Sequence, residues 1–151
     1  WNIGHATTQA GLNAGSNQTN LLLDWDLDVT TGLVPRFYQD GNDYFGQSAE
    51  AADLDFTLTF HVESTAFAVS QYYDKWRAET VDFIRLRANG ASLGSTTYAS
   101  QIDMGVLYTN VVPISAEQGG VNIYEVTARA SYDSTWGNSI VFHTIASISS
   151  L

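Results

Sequence analysis

Two stretches of this chain alternate so strictly that a sheet with one buried face is the natural way to accommodate them. In residues 21–30, LLLDWDLDVT, the side chains Leu21, Leu23, Trp25, Leu27 and Val29 share one parity. Asp24, Asp26, Asp28 and Thr30 share the other. In residues 53–63, DLDFTLTFHVE, five apolar residues from Leu54 to Val62 alternate with Asp53, Asp55, Thr57, Thr59, His61 and Glu63. Successive side chains of a strand point to opposite faces, so period two means one face in the core and one in solvent. The acids then belong to a solvated face and not to an ion loop. An EF-hand counted from Asp24 needs glycine at its sixth position and glutamate at its twelfth. Val29 and Pro35 stand there instead.

The remaining chain is read around these strands. Residues 1–20 are rich in Gly, Asn, Thr and Ala and lack periodicity, so they read as a loose N-terminal arm. Residues 31–52 read as a long loop. Thr31-Gly32, Pro35 and Asp40-Gly41 supply turn chemistry, and Phe37, Tyr38, Tyr44 and Phe45 supply aromatic anchors. The alternative for this loop is an ordinary hairpin capping its own core. After Ser64 or Thr65 as N-cap, AFAVSQYYDKWRAE predicts a helix over about 65–79, with Ala66, Val69, Tyr72 or Tyr73, and Trp76 on one face. Asn89-Gly90 marks a hairpin turn, because both residues tolerate positive φ. Segments 102–114, 120–130 and 138–148 supply further strands. The expected fold is mainly β: a β-sandwich or partly open barrel of about seven or eight strands with one packed α-helix. Residues 21–151 form a single β-sandwich domain on this reading.

Charge removes some functions. Residues 1–63 carry nine acids against Arg36 alone, while 64–151 carry seven acids and five bases. A net charge of −10 without a basic stripe does not favour binding nucleic acid through its phosphates. No apolar run approaches the roughly 20 residues that span a bilayer. There is no cysteine, hence no disulfide and no thiolate metal site.

A search for chemistry comes back empty. His5, His61 and His143 stand far apart and outside metal-ligand spacings, so each reads as a structural histidine. No phosphate-cradling GxxxxGK loop occurs, and no G-x-S-x-G elbow is read, so a hydrolase triad has no anchor. The many carboxylates carry no signal without geometry. The expectation is a protein that is not an enzyme and needs no metal or cofactor.

The order of elements is informative as a whole. A strand ending in DLDVTTGLVPRFYQDG precedes a long loop, and DLDFTLTFHVES leads straight into a helix. Then follow TVDFIRLRANG, YASQIDMGVLYTNVVPISAEQGGVNIYEVTARASYD and NSIVFHTIASI. Over residues 20–149 this resembles the tail tube proteins (major tail proteins) of long-tailed bacteriophages. The resemblance implies a β-sandwich with one helix, joined into rings of usually six subunits. Such rings stack into a tube that conducts DNA. It implies as partners the chain itself, a tape-measure protein and tail-end proteins, with DNA passing through without specific binding and no membrane contact. The implied place is the virion tail, assembled in the host cytoplasm. On that reading Asp53, Asp55, Thr57 and Thr59 line the channel. Phe37, Tyr38, Tyr44 and Phe45 anchor the long loop on a neighbouring subunit. Only Pro35 and Pro113 are available to block sheet edges, which leaves edges open for pairing. The alternative is a carbohydrate- or receptor-binding β-sandwich module, with Tyr and Trp as stacking platform and acids holding calcium.

Overall fold

The computed structural model describes residues 1–14, 18, 21–36, 47–50, 54–93 and 96–146. The fold is mainly β, one curled antiparallel sheet that forms a partly open barrel with a helix packed against it. Its strands are β1 (Asn2–Ala6), β2 (Leu22–Thr30), β5 (Asp55–Glu63), β6 (Asp82–Leu93), β7 (Thr96–Gln118), β8 (Val121–Ala130) and β9 (Ile140–Ile145). The order across the sheet is β1-β6-β7-β8-β5-β2. A separate two-stranded ribbon joins β3 (Leu33–Arg36) to β4 (Gln47–Glu50).

The curl depends on β7. Its first half, residues 99–104, lies between β6 and β9, and its second half, from Val106 onward, pairs with β8. One long strand thus belongs to both halves of the sheet. Irregularities at Tyr108/Asn110 and Val112/Ala116 bend it, as bulges do. Ile114 sits in the second with φ of 60°, a strained value for a β-branched residue. The inward parities of both halves then face each other. Ile84, Leu86 and Met104 meet Leu58, Phe60, Tyr108 and Val126 in one cluster. At the two ends of the strand order, Trp1 lies edge-on to Trp25, with ring centroids 4.9 Å apart.

The helix closes the barrel from one side. Thr65 is its N-cap and accepts a hydrogen bond from the Ala68 amide. From α2 (Ala66–Ala68) the chain runs through a π-helical turn (Val69–Tyr73) into α3 (Asp74–Arg77). That turn changes which face is buried. Ala68 and Tyr72 are enclosed and Trp76 packs on the core, whereas Ala66 and Val69 of the expected face are exposed. A π turn takes more residues per turn than an α-helix, which favours the spacing of four seen from 68 to 72 to 76.

Three further expectations are corrected. Residues 2–6 are not loose: β1 pairs with β6 from Asn2↔Arg87 to Ala6↔Phe83, and Ile3 is fully buried. A short helix, α1 (Gln9–Ala14), follows it. Asn89-Gly90 does not turn the chain; β6 continues through it to Leu93. Gly90 and Ala91 instead form a bulge opposite Tyr98, since Asn89 pairs with Ala99 and Ser92 with Thr97. In β2, the step between Leu22↔Val62 and Asp24↔His61 inserts Leu23 as an extra residue, so Leu23 leaves the apolar parity and is exposed.

Candidate functional site

The outward parity of β2, β5 and β8 assembles one polar surface. Three cross-strand rows build it: Asp28 with Thr57 and Arg129, Asp26 with Thr59 and Thr127, and Asp24 with His61 and Glu125. Asp55, Thr57 and Thr59 share this surface, as their alternation with the buried Leu58 and Phe60 requires. Asp53 and the aromatic residues Phe37, Tyr38, Tyr44 and Phe45 lie outside the described residues. The surface is acidic but not uniformly so. Asp55 accepts a hydrogen bond from the Arg129 guanidinium at 2.6 Å. His61 Nδ1 is 2.5 Å from Asp24 Oδ1, and its Nε2 is 3.6 Å from Glu125. The hydrogen bond to Asp24 raises the His61 pKa, outweighing partial burial, and Glu125 adds to the rise. The two carboxylates occupy opposite nitrogens of one ring, so they do not converge on a common point. Among the described residues no three His, Asp or Glu side chains are placed to hold a metal ion.

A second polar cluster is buried between the helix and the sheet. The fully buried Asp82 accepts from Lys75 Nζ at 2.8 Å, Gln71 Nε2 at 2.5 Å and Tyr108 Oη at 2.9 Å. His5 brings Nδ1 to 3.7 Å from the same carboxylate, too long for a hydrogen bond, and its Nε2 to 2.8 Å from Tyr72 Oη. Burial pulls Asp82 upward, but the neighbouring His5 and Lys75 outweigh it and hold the carboxyl below the ordinary range. Burial dominates at His5 and lowers its pKa despite Asp82. The line Tyr72–His5–Asp82 has the residue types of a nucleophile, base and orienter. Yet Tyr72 is 0% exposed and its pKa is raised by burial, so the hydroxyl is neither reachable nor activated. The cluster joins β1, the helix and β6, and its role is to hold them together. Sequence reasoning missed it because its members, at 5, 71, 72, 75, 82 and 108, come from the helix and three different strands.

One spacing passed over in the sequence also needs correction. Gly90-Ala91-Ser92-Leu93-Gly94 has the G-x-S-x-G pattern of a hydrolase nucleophile elbow. That elbow needs a strand running into a helix. Here the exposed Ser92 lies in β6 and pairs with Thr97 of the following strand, so the required turn geometry is missing.

No protein-family model matches the chain, and no curated protein matches it. The geometry therefore has to carry the functional reading.

A third feature points outward. In the β3–β4 ribbon Leu33 and Val34 are neighbours in one strand, hence on opposite faces, and they are 57% and 42% exposed. The ribbon's main pairing is with itself. The strand edges of β2 and β9 that face away from β5 and β7 carry no partner strand among the described residues.

Proposed function

We propose that this chain is a virion structural protein that self-assembles into stacked rings, usually of six subunits, forming the tail tube of a long-tailed phage. The ribbon of β3 and β4 carries this reading. A two-stranded ribbon is marginal in water by itself. One with apolar side chains exposed on both faces is better suited to contact with another subunit than to capping its own core. The open edges of β2 and β9 support the same assembly, because an unpaired strand offers a row of backbone donors and acceptors to a neighbouring chain. The polar surface of β2, β5 and β8 is the proposed channel wall. Its carboxylates Asp24, Asp26, Asp28, Asp55, Glu63 and Glu125 outnumber Arg129 and His61, so DNA phosphates would find little to hold them. Screening confines that repulsion to about 8 Å at physiological salt, which places its effect close to the wall.

Negative-stain microscopy and light scattering of the purified chain test the assembly. Rings or tubes are expected; a monomer at high concentration with no tubes in any image rejects the reading. The double substitution Leu33→Ser, Val34→Ser is expected to leave a folded subunit that polymerises poorly. Normal tubes from it would make the ribbon a local cap.

A further inference from the structure

We propose that a cleft between the β1–α1 turn and the β8–β9 loop binds a neutral pyranose ring. The cleft has a volume of about 350 Å³, and its lining includes Thr7, Gln9, Phe83, Asp133, Thr135 and Trp136. That size falls within the range of small-molecule sites. It shares no lining residue with the acidic surface or the ribbon, so it does not rest on the assembly reading.

Local structure builds the cleft from unspent groups. Asp133 pairs across the loop with Asn138, and its Oδ1 accepts from the Trp136 amide at 2.7 Å. This turn sets the Trp136 indole against Phe83, edge to face, with centroids 6.0 Å apart. Gly105 allows the close approach: a Cβ there would stand 2.8 Å from the Ser131 carbonyl oxygen and 3.5 Å from the Phe83 ring. The half-buried Trp136 ring supplies the apolar wall, and the buried Phe83 ring backs it. Around it, the Thr7 and Thr135 hydroxyls, the Gln9 amide, Asp133 Oδ2 and the Trp136 indole N–H make no hydrogen bond among the described residues.

The ligand class follows from that combination. An apolar ligand would cover these polar groups without replacing their water, which costs free energy. An anion would meet the Asp133 carboxylate and a chain of net charge −10. A quaternary ammonium is best held by a box of aromatic faces, and the described lining offers two rings in one T-shaped pair. A pyranose offers both what the wall and the rim require. Its C–H face packs on an aromatic ring, and its hydroxyls donate to Asp133 Oδ2 while accepting from threonine, glutamine and indole donors.

Saturation-transfer difference NMR tests this on the whole chain, since it reads the ligand's own signals whether the protein is monomeric or assembled. Glucose, galactose and N-acetylglucosamine are the probes, with tetramethylammonium as the competing class. Transfer to the ring C–H protons of at least one sugar is expected, with a dissociation constant on the order of 1 mM. Asp133→Asn keeps an acceptor for the Trp136 amide while removing the charge, and is expected to weaken binding about tenfold. Trp136→Ala is expected to abolish transfer, while Trp25→Phe, away from the cleft, leaves it unchanged. Folding of each variant is checked by circular dichroism. No transfer to any sugar overturns the proposal. So does transfer to tetramethylammonium alone, and so does sugar transfer that survives unchanged in a folded Asp133→Asn variant and in Thr7→Val.

Discussion

Replacing Asp82 by leucine removes the one acceptor shared by Lys75, Gln71 and Tyr108. The cost can be assembled from the geometry. Breaking a buried ion pair from one side costs about 3–5 kcal/mol, because the other charge stays buried. The Lys75 side chain is 22% exposed, so its amine can turn toward water and the loss falls near the lower end. The Tyr108 hydroxyl has no such escape, and an unsatisfied buried hydroxyl costs about 1–3 kcal/mol. Together these give a destabilisation of roughly 4–6 kcal/mol, or about 8–24 °C in Tm for a chain of this length. Tyr108→Phe alone removes one hydrogen bond to a charged acceptor and is expected to cost about 1.5–3 kcal/mol. In the Asp82→Leu background that same substitution should instead recover about 1–3 kcal/mol, since it removes the buried hydroxyl left without its acceptor. Urea denaturation of the four proteins of this cycle measures the coupling. A loss below about 1 kcal/mol for Asp82→Leu would refute the cluster as a structural clamp. Equal costs of Tyr108→Phe in both backgrounds would refute the shared acceptor.

The two histidines with shifted pKa values predict opposite pH trends. His5 is lowered by burial, so its contribution is present above the unfolded value near 6.5 and lost as pH falls through its lower folded value. His61 is raised by Asp24, so its contribution is present below about 6.5 and lost as pH rises through its folded value. Urea denaturation across this range should show His61→Asn differing most from the parent on the acid side, and His5→Leu on the neutral side; parallel curves for all three would reject both assignments. Gly105→Ala is expected to cost about 1–3 kcal/mol by overpacking against the Ser131 carbonyl, 2.8 Å from the added carbon, and an unchanged Tm would mean that the β8–β9 loop simply shifts.

The alternation of β2 and β5 was legible because period two is a property of the backbone: once Leu58 and Phe60 are buried, Thr57 and Thr59 must face the other way. The helix and its cap were legible through Thr65, but its buried face was not, because the π turn moves that face from Ala66 and Val69 to Ala68, Tyr72 and Trp76. What lay beyond reach depended on partners distant in the chain. Residues 1–6 carry no strand pattern of their own, yet β6 provides the hydrogen-bonding edge that makes them one. Asn89-Gly90 has turn chemistry, but pairing with β7 carries the strand past it and turns the same residues into a bulge. The Asp82 cluster and the Phe83–Trp136 cleft likewise bring together residues from strands and loops far apart in the chain, and only the folding of the sheet sets them side by side.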